Sequence, residues 1–166
     1  FKGEKFELYL QPFAMRVYNQ RWYVVGRFKE SGKIRNIALD RILRMEITEE
    51  EFSLPEDFDA RDYYSHTVGI FVNETLKPQR VVLRTFGVST EYMRSLPLHP
   101  SQCEIATNGD ESSDFEYHLN LTPELTGKLL SKGDWVEVLE PKALRDEIKK
   151  HADAIAGLYK KKHFWE

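Results

Sequence analysis

Through the first fifty residues apolar and polar side chains alternate. Phe6, Leu8 and Leu10 are spaced by polar neighbours, Met15-Arg16-Val17-Tyr18 follows, and Leu43-Arg44-Met45-Glu46-Ile47 keeps the same two-residue beat. Between them, Arg21–Phe28 and Lys33–Ile42 flank Ser31-Gly32. Two β-branched and aromatic runs around a polar turn with glycine predict a β-hairpin. Successive side chains of a strand face opposite sides. Trp22, Val24, Gly26 and Phe28 therefore share one face, and Tyr23, Val25, Arg27 and Lys29 share the other. The first set is the more apolar, which predicts Trp22 in the core. On the second strand Arg35, Ile37, Leu39 and Arg41 have one parity, with an arginine at each end. Consecutive short antiparallel strands predict a small SH3-like or Sm-like barrel over residues 1–52. The four runs leave it one strand short of closure.

Residues 53–79 read as a connector. Ser53-Leu54-Pro55-Glu56-Asp57 is acidic and turn-like, and Asp59 is placed to cap a short helix reaching Tyr64. The carboxylates Asp57, Asp59 and Asp62 lack the glycine and the bidentate glutamate of a calcium loop. From residue 80 the elements are a strand over Val81–Phe86, a helix capped by Ser89 through Leu96, and strands over Gln102–Ala106 and Asp114–Leu121. The turn Asn108-Gly109-Asp110 joins those two strands. A helix with Thr122 as cap and Pro123 at its first position runs to Gly133, and Trp135–Leu139 forms a last strand. The order β-α-β-β-α-β is the ferredoxin-like plan. A C-terminal helix starts near Pro141, with Leu144, Ile148, Ala152, Ile155, Leu158 and Tyr159 on one stripe and Lys160, Lys161 and Lys162 at its dipole's negative end. The expected fold is thus mainly β plus α+β, with the second domain at 80–166.

Composition narrows the function. A chain of 166 residues with 41% hydrophobic content is one ordinary domain or two small ones. It has no apolar run of about 18 residues and no signal-peptide pattern, so a cytoplasmic protein without a membrane is expected. The single cysteine, Cys103, excludes an internal disulfide, fits a reducing compartment, and reads as a buried thiol beside His99. His66, His99, His118, His151 and His163 are scattered over five elements, and His118 alternates with apolar Tyr117 and Leu119, which turns it to solvent. There is no phosphate loop, G-x-S-x-G elbow, H-E-x-x-H helix or C-x-x-C pair. The chain reads as a non-enzyme without cofactor or metal. Its net charge of −3 is low for a nucleic-acid binder, yet residues 1–50 carry four lysines and six arginines against seven carboxylates, a net +3.

Arginine beside an aromatic ring suits a phosphate-bearing ligand, because the guanidinium pairs bidentately with phosphate and the ring stacks on a base. Trp22-Tyr23-Val24, Gly26, and Ile34-Arg35 through Leu39-Asp40-Arg41-Ile42 resemble the WYL domain of bacterial transcription regulators. Gln11-Pro12-Phe13-Ala14 is similar to the strand preceding its name-giving triplet. Arg80–Arg84, His99–Gln102 and Val136–Arg145 look like the C-terminal extension that follows it. Val24 stands where the family has leucine, and Arg27 where an aromatic or small residue is common.

The resemblance implies a sensory region. Its ligand would be an oligonucleotide or nucleotide-like anion, held on one electropositive surface by Tyr23, Arg27, Arg35, Asn36 and Arg41, with Arg84 reaching across a homodimer. It also implies a further strand and a DNA-binding winged helix-turn-helix upstream of Phe1. The competing expectation is a non-catalytic interaction or dimerisation module whose arginine strand is merely a solvated face.

Overall fold

The computed structural model describes residues 5–109 and 111–160. Asp110 of the expected turn, and Lys161, Lys162 and His163, lie outside them. The fold is mainly β with α+β character: the described residues form two antiparallel sheets and four helices, in compact units Phe1–Ser65 and His66–Glu166.

In the first unit β1 (Leu10–Tyr18), β2 (Arg21–Phe28) and β3 (Ile34–Ala38) form a meander in the order β1-β2-β3. The expected hairpin is β2–β3. Its turn closes with Gly32 N–H donating to Phe28 O at 2.8 Å, and Gly32 takes φ +65°, which glycine adopts without strain. A second hairpin, β1–β2, turns on two residues, Asn19 and Gln20, both at positive φ (47° and 62°), the backbone that tight hairpins need.

The expected barrel does not form. Leu43–Ile47, read as a strand, pairs with nothing among the described residues, and Leu43, Met45 and Ile47 stand exposed. Of the Phe6–Leu10 run only Leu10 enters the sheet. The reason lies at the end of β3, where Leu39–Arg41 tightens into a 3-10 turn instead of continuing the strand. Three strands remain as an open sheet, too few for closure. Helix α1 (Ala60–Tyr63) begins as expected, with Asp59 accepting from Arg61 N at 2.5 Å and Asp62 N at 3.2 Å.

The second unit runs β4 (Gln79–Phe86), α2 (Val88–Ser95), β5 (Cys103–Asn108), β6 (Ser112–Leu119), α3 (Pro123–Leu130), β7 (Val136–Glu140) and α4 (Lys142–Tyr159). Its sheet order is β5-β6-β4-β7, with every neighbour antiparallel. One face carries Val81 and Leu83, Phe115, Tyr117 and Leu119, and Val138, which close on Met93, Leu125, Leu129 and Leu144 from the helices. Tyr117 donates to Gln102 Oε1 at 2.8 Å, and burial raises its phenol pKa above the ordinary range.

Thr122 caps α3 through Leu125 N, as expected. Three details differ. Helix α2 starts at Val88 after Gly87 (φ +53°), so Ser89 is not its cap but lies buried in the first turn. Helix α3 ends at Leu130, and Gly133 opens a separate 3-10 turn, Gly133–Trp135. Cys103 is exposed rather than buried, because β5 is an edge strand with every residue solvent-facing, while His99 is buried and meets Ser101 Oγ at 2.9 Å. His118 is exposed, as its alternation predicts.

Candidate functional site

Register decides which of the candidate residues meet. In an antiparallel pair, residues directly opposite one another share a face. Tyr23 opposes Arg16 and Ala38, Val25 opposes Ala14 and Asn36, and Arg27 opposes Gln11 and Ile34. Tyr23, Arg27 and Asn36 are therefore brought together, with Arg16, on one side of the sheet. The other side carries Trp22 opposite Val17, Val24 between Met15 and Ile37, and Gly26 between Pro12 and Arg35. The single electropositive surface expected from parity is thus split. Arg35 lies across the sheet from Arg27, and Arg41 leaves the strand altogether for the 3-10 turn.

The Tyr23 side is already occupied by the chain itself. The Arg16 guanidinium lies 3.9 Å above the Tyr64 ring, and the Tyr64 hydroxyl donates to Asn36 Oδ1. Arg27 sits 5.4 Å from the Phe13 ring centre, and Phe13 packs on Phe58 at 4.8 Å. Phe58, Tyr63 and Tyr64 continue as a run of ring contacts at 5.9 and 4.9 Å. Such cation–π and aromatic pairs stabilise a small core. Val25, Ala38 and Tyr64 are buried here. Arg27 and Asn36 therefore serve the packing of this unit.

The opposite side is open. Trp22, expected in the core, is 55% exposed, and Met15 and Val17 beside it are exposed as well. The central strand is covered from both sides only in its middle, at Val24, Val25 and Gly26, so a residue at its end escapes burial. Gly26 keeps this surface flat for a steric reason: a Cβ there would stand 2.2 Å from Gln11 O. Arg35 projects at its rim, its Nη1 donating to Ile34 O at 3.2 Å, and among the described residues it makes no ion pair. At the other end Arg21 and Asp40 approach to 3.5 Å. An indole, two exposed apolar side chains and a guanidinium without an ion pair among the described residues, on one flat sheet, can stack a planar ring and hold an anion. The signal that would have exposed Trp22 is the two-residue loop Asn19-Gln20, which sets Val17 opposite it.

Arg84 is committed elsewhere. Its Nε and Nη2 donate to the two oxygens of Asp114 at 2.7 and 2.8 Å, and this pair holds the Asp114 carboxyl below its usual pKa. Its neighbour Arg80 is likewise bound to Glu116 (2.6 Å) and Glu140 (2.5 Å). The guanidinium expected to reach a partner's ligand is thus taken by a carboxylate of its own sheet. No group of three or more metal-ligating side chains occurs among the described residues, and none of their helices is long and apolar enough to cross a membrane.

Comparison with known proteins follows the same division of the chain. Residues 2–47 match the WYL domain family and residues 77–156 match the WCX domain family. Among solved structures the chain is similar to Proteasome accessory factor B/C (PafBC) of Arthrobacter aurescens. The identity is 21% and the TM-score 0.40, over 94% of this chain and 23% of that one. No curated protein matches.

Proposed function

The chain is a WYL domain followed by a WCX domain, and from that premise we propose that it is the effector-sensing and dimerisation region of a bacterial transcription regulator. In this reading it is a cytoplasmic binding protein rather than an enzyme, and it passes the state of its ligand site to a DNA-binding domain. The ligand is an oligonucleotide or nucleotide-like anion. The observation that carries the ligand class is the open side of the first sheet, where Trp22 is exposed opposite Val17 and beside Met15, while Arg35 makes no ion pair among the described residues. Base stacking on an aromatic ring tolerates sequence, and a guanidinium supplies the phosphate contact. Arg41 adds positive charge at the end of β3, whereas Arg27 packs on the Phe13 ring and Asn36 accepts from the Tyr64 hydroxyl. The order β5-β6-β4-β7 with helices between its strands supports a ferredoxin-like plan for the WCX domain, the half suited to dimer formation.

A labelled single-stranded decanucleotide, titrated at several salt concentrations, tests the proposal. Trp22→Ala is expected to weaken binding about 5- to 150-fold, the range of one lost base stack. Arg35→Ala is expected to weaken it and lower the slope of log K against log salt by about 0.7, one phosphate's worth for a single strand. Because Trp22 is half exposed, its variant keeps the parent's melting temperature. Absence of binding at low salt, or both variants binding like the parent, would leave the ligand-free interaction module as the better reading.

A further inference from the structure

Two histidines of the second unit stand together, away from the sheet site of the first. His118 is the last residue but one of β6 and is exposed, and His66 precedes β4 and is half-buried. Their ring centres are 5.0 Å apart and their planes nearly perpendicular, at 86°. The backbone holds the pair at three points. His66 Nδ1 meets the His118 carbonyl oxygen at 3.2 Å, Asn120 N–H donates to the His66 carbonyl at 2.8 Å, and His118 N–H donates to Ser101 Oγ at 3.2 Å. The first of these contacts fixes a tautomer. A carbonyl oxygen only accepts, so Nδ1 of His66 carries the proton and Nε2 of the neutral ring carries the lone pair. An imidazole that donates one N–H to a backbone carbonyl while presenting its other nitrogen is in the form that ligates metals.

We infer that His66 and His118 form a two-imidazole site for a transition-metal cation of the kind that nitrogen ligands favour, with Zn²⁺ the ion that the geometry fits. Zinc–nitrogen bonds of about 2.0–2.1 Å at a tetrahedral angle set the centres of two bound imidazoles about 5 Å apart. That is the separation of these two rings. His66 offers Nε2, and the exposed His118 ring turns about a soft terminal torsion to bring a nitrogen alongside. Charge favours a cation here. Arg80, opposite His118 on β4, is held by Glu116 at 2.6 Å and Glu140 at 2.5 Å, so these three groups sum to 1 − 2 = −1. Both carboxylates are engaged by that arginine, which leaves oxygen-seeking Ca²⁺ and Mg²⁺ without ligands. Water fills the remaining positions on the ion, so binding is weaker and more reversible than in a closed four-ligand site. The competing ligand is the exposed thiol of Cys103, which stands across the strands from Glu116.

Calorimetric titration of the full chain with zinc chloride tests the site. The parent is expected to bind one equivalent of zinc, and magnesium chloride is expected to give no binding heat. His66→Ala and His118→Ala should each raise the zinc dissociation constant by more than about tenfold, since losing even an outer-shell partner costs that much. His151→Ala, on α4, and Cys103→Ser should bind zinc as the parent does. NMR of the histidine rings in the parent gives a readout that needs no variant. Zinc should shift Nε2 of His66 while Nδ1 stays protonated. Absence of binding at millimolar zinc, binding that survives both histidine substitutions, or loss of binding in Cys103→Ser would overturn the inference. A zinc-induced shift at His66 Nδ1 in place of Nε2 would overturn it equally. The oligonucleotide site is independent of this one, and Trp22→Ala is expected to bind zinc like the parent.

Discussion

Set side by side, the two units treat apolar surface differently. Among the described residues of the second, ten buried side chains from one sheet face and its helices, with Val68 from the segment before β4, close on one another around Phe115, Tyr117 and Leu83. Among the described residues of the first, only Val24, Val25, Ala38 and Tyr64 reach comparable burial of apolar side chains, while Trp22, Met15 and Val17 on the sheet and Leu43, Met45 and Ile47 after it are exposed. The charges differ in the same sense. The arginines of the second sheet each hold a carboxylate, as Arg80 and Arg84 show, whereas Arg35 of the first holds none among the described residues. The closed core of the second unit is its scaffold, and under the proposed function the exposed indole and guanidinium of the first sheet are where the ligand docks.

That contrast can be broken by substitution. Phe115→Ala should cost about 3–5 kcal/mol, the usual loss for a fully buried aromatic, and urea unfolding should place the loss in the second unit. A cost below about 1 kcal/mol would show that this core is not the scaffold. Gly26→Ala acts on the other unit. Its Cβ meets the backbone oxygen of Gln11 rather than a side chain that can swing away, so β1 must shift, at about 1–3 kcal/mol. Hydrogen exchange should then lose protection over residues 10–28 and keep it over 79–140. Uniform loss would mean that the units do not fold separately.

The smallest effect is electrostatic. The Arg94 guanidinium lowers the Glu104 carboxyl to about pH 2 from an ordinary value of 4.5. A depressed carboxylate stabilises the fold above its unfolded pKa, and that contribution disappears as pH falls from 4.5 towards 2. Glu104→Gln should therefore be less stable than the parent at neutral pH, by under about 1 kcal/mol because the pair is solvent-screened, and equal to it near pH 2. An identical acid limb in thermal melts of both proteins would remove Arg94–Glu104 from the account.

The sequence was most readable where local rules and tertiary packing agree. Thr122-Pro123, Asp59 and the apolar stripe starting at Leu144 each mark a helix that forms. The β2–β3 hairpin follows from its turn residues for the same reason. Reading failed where a local pattern depended on a distant partner. Leu43–Ile47 has strand periodicity, but a strand exists only against another strand. Trp22 has the parity of Val24, yet sits near the end of β2 and is half exposed. Arg27, Arg35 and Arg41 were grouped by composition and spacing, and register then put the first two on opposite sides. Arg84 looks like any cationic strand residue until Asp114 is known to stand across from it.

Phe13 gives β1 a property that its nine residues conceal. The bulge between Pro12 and Ala14 inserts one residue, so Gln11 and Ala14 face the same side as Tyr23, while Pro12 and Met15 face the side of Trp22. The strand's odd and even positions exchange meaning at that point, like a wave that slips by half its wavelength. Two lineages that differ by one residue near here would keep identical turns and yet display opposite halves of the strand. A chimaera joined on the wrong side of Phe13 would bury Arg16's neighbours and expose its aromatic bed, with every pairwise identity along the join intact.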